Sequence, residues 1–334
     1  MTESELSTEI KTGTFSGMYF FTGEEDYMKN YNCKEFERLI EKAKSICRPV
    51  KAAVAGATSE NILRGVLEAK EEGFIDPVLI GSAEKIQEIL KKLGREDCCA
   101  NIIDIDASVN PVQYAIEMIN AGQAEILVRG DTQTRDFLLP VLNKSNHLIE
   151  EDGLVTHVVF LKVPGYEKLL AVSDVTLLLE APVDLKKEVI RNEVKALKLL
   201  GIEHPNIALL SLIETPAFHM RDTVEDQTMV RDHQKRPIAD CNLVGPISYD
   251  LIVSKEAARL KNYDCPYSGE FDGIVVPNLL SGNLIVKILM QNAGAFGFGI
   301  LSGTKIPVSI SGRSEPYEQT FLSLAACAAM AAEK

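Results

Sequence analysis

From Cys33 onward the chain alternates short, uninterrupted apolar runs with amphipathic segments of helical period, and nothing else in it constrains the fold so strongly. "CKEFERLIEKAKS" sets Phe36, Leu39, Ile40 and Ala43 at helical spacing. "VKAAVAGA" reads as a strand ending at Gly56, and "SENILRGVLEAKEEG" as a helix with Ser59 at its N-cap and Gly73 as its stop. "DPVLIGS" is a second strand and "AEKIQEILKKLG" a third helix. "AEILVRG" is a further strand, and "TQTRDFLLPVLNK" a helix with Pro140 inside it or near its end. Strands that are apolar throughout are covered on both faces. The pattern therefore predicts an α/β fold of mostly parallel, doubly wound sheets in a three-layer α/β/α arrangement.

After Glu150 the alternation restarts. "VVFLKVP", "VTLLLEAP", "NIALLSLIE", "CNLVGPIS" and "DGIVVPN" read as strands, and "DLKKEVIRNEVKALKLLG" as an amphipathic helix. A chain of 334 residues exceeds one core of ordinary size. The polar stretch "SNHLIEEDG" marks a domain boundary near residues 146–153. From about Gly299 the chain holds one strand, Ile306–Ser311, and an Ala-rich helix over about Tyr317–Ala332. A lone βα unit is too small to fold alone, so it is assigned to the first domain. The expected organisation is an N-terminal extension (1–32), domain I (33–148 plus 299–334) and domain II (149–298). The extension is acidic and aromatic without a period, either an ordered arm on a partner subunit or a partly disordered tail. Exposing Tyr19, Phe20 and Phe21 together would be costly, which favours the arm.

A net charge of −13 argues against nucleic-acid binding and requires any phosphate site to be built locally, from placed arginines and backbone N–H groups. The seven cysteines are odd in number and form no CxxC pair, so reduced thiols in a cytosol are expected. The five histidines are scattered, with no HExxH. The opening "MTESELSTEIKTG" has no basic and apolar leader, and no apolar run reaches ~18 residues, so no membrane role and a cytoplasmic location are expected.

Parallel sheets bind ligands at the carboxyl ends of their strands. "LVRGDTQT" sets Arg129 and Gly130 after a strand and Thr134 early in the next helix, where a guanidinium, a hydroxyl and helix N-terminal amides suit a phosphate. Equally, Thr132 caps that helix, Gly130 makes the turn and Arg129 is solvated. In "VVPNLLSGNLIVK", Pro277 and Asn278 close a strand while Gly282 and Asn283 open a helix; the asparagines hold the loop or reach a ligand. "IPVSISGRSEP" delivers Arg313 to a strand end, with Glu315 two residues on. "FGFGILSG" is not GxGxxG and "GILSGTK" lacks the Walker A spacing, so neither reads as a nucleotide loop.

Taken in order, "VKAAVAGATSENILRGVLEAKEEGFIDPVLIGSAEKI", "ILVRGDTQT", "VTHV", "AVSD", "LGIEHPNIALLSLIE", "LVGPISYD", "VVPNLLSGNLIVK" and "GTKIPVSISGR" resemble the phosphate acetyl/butyryltransferases, on the phosphate butyryltransferase branch. The strongest match is Pro277-Asn278 with Gly282-Asn283 and Lys287; the next is Gly245-Pro246 with Asp250. The resemblance implies a two-domain homodimer with its site in the cleft between domains. It implies acyl-CoA and phosphate as substrates, acyl phosphate and CoA as products, and no metal or tightly bound cofactor. Phosphate, a poor nucleophile, must be held against the thioester carbonyl, and an arginine fork suits that task. Arg313 matches the family arginine assigned to phosphate, while Arg129 stands where lysine is commoner. Oxyanion donors are expected near Ser311. The chain departs from the family's Ser-Arg-x-Asp-Ser with Gly312-Arg313-Ser314-Glu315-Pro316, and has Thr320 at a later lysine position. Ser311 or Ser314 would then supply the hydroxyl, and Glu315 or Glu318 the general base. The same departures leave an alternative: an altered paralogue that binds CoA or acyl phosphate as a scaffold or regulator. Decarboxylating dehydrogenases share a related architecture, but no aspartate cluster here has metal-ligand spacing.

Overall fold

The computed structural model describes residues 33–151, 153–312 and 315–333. In chain order its elements are α1 (Lys34–Lys44), β1 (Val50–Ala55), α2 (Glu60–Glu71), β2 (Ile75–Gly81), α3 (Ala83–Lys92), β3 (Asn101–Asp104), α4 (Pro111–Asn120), β4 (Ile126–Arg129) and α5 (Thr134–Leu142). There follow β5 (Thr156–Lys162), β6 (Leu169–Ser173), α6 (Val183–Leu199), β7 (Asn206–Leu210), α7 (Arg221–Lys235), β8 (Asn242–Ile247), α8 (Tyr249–Val253), α9 (Lys255–Leu260) and β9 (Gly273–Val275). The chain ends in α10 (Leu279–Asn292), β10 (Phe296–Ser302), β11 (Val308–Ser309) and α11 (Tyr317–Ala332). The expected arm or tail, residues 1–32, lies outside the described residues.

The expected α/β class holds, and the strands form one continuous sheet in the order β3-β2-β1-β4-β11-β10-β5-β6-β9-β7-β8. Pairing is parallel except at β11/β10, β10/β5 and β5/β6. β1, β4 and β7 are apolar and buried almost throughout, as strands covered on both faces must be. One apolar cluster gathers Ala53, Ile80, Ile116, Leu127, Phe137 and Val308; a second gathers Val159, Val172, Ala208, Phe271 and Ile274. β11 joins the end of the chain to β4, with Val308 beside Leu127 and Ser309 beside Val128.

Two sequence expectations fail locally. "VTLLLEAP" is not a strand: β6 is the preceding Leu169–Ser173, and residues 174–182 turn. The cause is Asp174, whose Oδ2 accepts from the N–H groups of Leu177 (2.7 Å) and Leu178 (2.6 Å) and diverts the donors a ladder would need. Conversely, "FGFGILS" forms β10, a strand absent from the sequence reading. Its alternation explains its composition. Phe296 and Phe298 face α1, where Phe36 meets them at ring-centroid distances of 6.3 and 5.6 Å, while Gly297 and Gly299 fall on the opposite side. The Ala-rich α11 forms at the expected limits. Its small residues let it lie close: Ser323 Oγ donates to Gly299 O (2.7 Å), and Gly65 of α2 crosses it against Thr320.

Candidate active site

The end of β4 is a tight crossing of main chains. Gly130 N–H donates to Ala55 O (2.9 Å) and Asp131 N–H to Gly56 O (2.6 Å), so any Cβ at 130 would collide with those two carbonyls. Glycine is required there for close approach. Arg129, 6% exposed, is not solvated. Its Nε (3.3 Å) and Nη2 (2.8 Å) donate to Thr132 O, and its Nη1 to Ser311 O (3.4 Å). The guanidinium thus ties the β4–α5 loop to the end of β11. Thr134 is exposed in the first turn of α5, and the residue at the N-cap is Gln133 rather than Thr132, whose hydroxyl lacks a partner.

At the end of β11, Ser311 Oγ pairs with Thr320 Oγ1 at 2.9 Å. Gly312 N–H donates to Glu315 Oε2 (2.6 Å) and Glu315 N–H returns to Gly312 O (3.2 Å). The Gln319 amide is satisfied only with its nitrogen facing Gly297 O (3.2 Å) and Glu315 Oε2 (2.7 Å). Burial pushes the Glu315 carboxyl up, while the Gly312 N–H and the charge of Arg129 pull it back. Arg313 and Ser314, between them, lie outside the described residues. A Cβ at 312 would fall 2.5 Å from Glu315 Cδ, so Gly312 makes room for the longer acid. Glu318, the other carboxylate considered as base, is buried, and interacts with Tyr317 of its own helix and Glu68 of α2.

A second group forms at the start of α10. Asn278 Oδ1 caps the helix by accepting from Ser281 N–H (3.0 Å). Gly282 closes on the turn after β6: a Cβ there would lie 2.6 Å from Asp174 O. Asn283 Nδ2 donates to Val175 O (3.3 Å), and Pro277 O accepts from Ala181 N–H (3.2 Å). Lys287 is exposed further along α10. The structure therefore brings Arg129, Gly130, Ser311 and Glu315 together, and separately Pro277, Asn278, Gly282 and Asn283.

Between the two groups stands His157, whose place in the site the sequence reading missed. Its main-chain N–H donates to Asp174 Oδ1 (2.7 Å), and its ring Nδ1 pairs with Thr176 Oγ1 (2.7 Å). Nε2 is sealed and without a hydrogen-bond partner, over Gly299, where any side chain would strike it. Burial and then the Arg129 charge lower its pKa to about 3, so the ring is neutral. Asp174 is pushed up by burial and drawn down by the N–H groups it accepts. The readable signal was the pair of glycines at alternate positions of "FGFG", which open a slot on one face of a strand.

The family model "Phosphate acetyl/butaryl transferase" matches residues 105–329. A phosphate butyryltransferase of Clostridium acetobutylicum is 29% identical over 301 residues, 90% of this chain and 99% of its own length. A phosphate acetyltransferase of Rhizobium meliloti is 27% identical over 304 residues, 90% of this chain and 94% of that one. Among solved structures, a branched-chain phosphotransacylase from Enterococcus faecalis V583 superposes with a TM-score of 0.72 at 25% identity, covering 84% of this chain and 99% of that one. A phosphotransacetylase from Streptococcus pyogenes shares the fold, with a TM-score of 0.74 at 21% identity over 90% of this chain and 99% of that one.

Proposed function

The chain belongs to the phosphate acetyl/butaryl transferase family, an acyltransferase family, and on that premise we propose that it moves a short acyl group, butyryl or acetyl, between CoA and inorganic phosphate. A phosphate oxygen attacks the thioester carbonyl, the C–S bond breaks, and acyl phosphate and CoA leave. The observation that carries this reading is the buried Arg129 guanidinium, fixed between the ends of β4 and β11 with the Glu315 carboxylate in its field. Such a fixed cation suits an oxyanion held for attack. Arg313 is read as the phosphate fork and Glu315 as the base that takes the CoA thiol proton in the reverse direction. Ser311 already pairs with Thr320, so its part is to hold the strand end. The α10 start, with Lys287, is read as the acyl-CoA side.

Two of the departures from the family pattern, Gly312 and Glu315, support activity rather than decay. The space left by Gly312 is filled by the extra methylene of Glu315, so the exchanges compensate each other. We read residues 33–148 plus 299–334 and residues 149–298 as two lobes with the site between them, in a homodimer. Leu280 (75% exposed), Leu284 (51%) and Ile288 (48%) form a stripe on α10 that a second copy would cover. Among the described residues no helix is long and apolar enough to cross a membrane, and all seven cysteines are unpaired, as in a reducing cytoplasm.

The test is thiol release from acetyl-, propionyl- and butyryl-CoA with and without phosphate. Phosphate-dependent release is expected with at least one; none with any would overturn the reading, and CoA binding by calorimetry without turnover would favour a scaffold. Arg313→Ala is expected to lower turnover at least tenfold, about 1.4 kcal/mol of barrier. Sedimentation at micromolar concentration should give a dimer, and Leu284→Glu a monomer.

A further inference from the structure

His157 belongs to neither proposed substrate group, yet it meets both, by hydrogen bonds on one side and by packing on the other. On one side its main-chain N–H and its ring Nδ1 hold the two ends of a short turn, through Asp174 Oδ1 and Thr176 Oγ1. The same Asp174 carboxylate gathers Leu177 and Leu178 with its other oxygen. That turn is the surface on which α10 begins: Gly282 closes on Asp174 O, and Asn283 holds Val175 O. Leu177 of the turn packs against the apolar cluster under β4 and β11. On its other side the ring lies over Gly299 of β10 with Nε2 sealed, in the field of Arg129.

A neutral ring suits this position on physical grounds. An imidazolium would repel the guanidinium, and a carboxylate would cancel the charge needed for phosphate. Hydrogen bonding selects the tautomer: Nδ1 has a partner and Nε2 has none, so the proton sits on Nδ1, donated to Thr176 Oγ1, and the sealed Nε2 keeps only a lone pair.

We propose that Asp174, His157 and Thr176 form a positioning bracket that sets the Arg129 side of the site in register with the start of α10, with His157 as its central positioning residue. With Nε2 sealed and Nδ1 taken by Thr176, neither ring nitrogen is open to substrate, and His157 acts through the groups it fixes. The proposal rests on the acyl-transfer reading for its kinetic consequence, but its geometry can be tested without turnover.

Thr176→Val removes the partner of Nδ1 at a partly buried position with little change in volume, and Thr176→Ser keeps the hydroxyl. With phosphate and acyl-CoA saturated separately, the valine variant is expected to lose at least about fivefold in kcat and gain a comparable factor in KM for phosphate. The serine variant should stay within about twofold of wild type. A purely structural role would lower the melting temperature without separating serine from valine in kcat and KM. In parallel, 15N spectra of histidine-labelled protein at neutral pH, assigned with His157→Gln, should show His157 protonated at Nδ1. Its Nε2 signal should move when inorganic phosphate is added. Valine kinetics like wild type, or a signal indifferent to phosphate, overturns the bracket. If wild type transfers no acyl group while phosphate still moves Nε2, the acyl-transfer reading fails and the bracket stands.

Discussion

Replacing Glu193 by glutamine should make the protein's stability less dependent on pH, in a direction fixed by where the carboxyl sits. Glu193 projects from α6 toward Gly273 of β9; it is fully buried, and neither of its oxygens has a partner at hydrogen-bonding geometry. Burial raises its pKa from 4.5 to about 8, with only the Ile274 amide opposing the shift. Below about pH 4.5 both folded and unfolded chains hold the proton and the residue has no effect on the balance. Between 4.5 and about 8 the unfolded chain releases its proton and the folded chain does not, so stability falls as pH rises. Each pH unit in that window costs about 1.4 kcal/mol, for a total on the order of 5 kcal/mol by pH 8. Glutamine cannot ionise and does not lose stability in this way.

The assay is urea unfolding followed by circular dichroism at pH 5, 6, 7 and 8, at one protein concentration. The difference between Glu193→Gln and wild type removes the other titrating groups, among them Asp226, whose carboxyl burial pushes up to about 6 against the pull of Lys186. That difference should climb in favour of glutamine by about 1 kcal/mol or more per unit between pH 5 and 7, then level off near 8. Any fixed cost of burying the amide shifts the curve without changing its slope. A flat difference across the whole range would mean that Glu193 is charged in the folded protein, and would refute the reasoning.

Gly299→Ala puts a methyl group into the His157 ring, and about 1–3 kcal/mol of destabilisation is expected, visible as a melting temperature lowered by several degrees. A melting point unchanged within one degree would show that the ring is not held there. Glu315→Asp shortens the acid that holds Gly312 N–H, and Gly312→Ser crowds it, so each alone should lower kcat/KM. The double variant should recover much of the loss; strictly additive losses would disprove the compensation.

The strands and helices that sequence makes plain are those whose cause is local. β1, β2 and β4 are short apolar runs, and α6 has a clear amphipathic period, so local pattern suffices. "VTLLLEAP" has the same look and fails, because one carboxylate from Asp174 takes two of its N–H groups. β10 was hidden for the opposite reason: its glycines lower strand propensity, and only its long-range neighbours, Phe36 on one face and His157 on the other, justify them. At the site, the types of residue could be read, but not their engagements. Arg129 reads equally as a phosphate ligand or a solvated side chain, and no spacing shows that Ser311 O, 182 positions away, accepts from it. The Gly312–Glu315 match depends on a folded loop that no spacing specifies.

The strand order has a consequence for how the chain must be assembled. β4 and β5 follow one another in sequence, yet β11 and β10 stand between them, and these two are the last strands of the chain. On the ribosome, the first four strands and the next five emerge with raw hydrogen-bonding edges on β4 and β5, and nothing yet made can cover them. Each half waits for one late insert that seals both edges at once. A nascent chain stalled before Phe296 would carry two sticky borders, and the cell's chaperones would meet it as such.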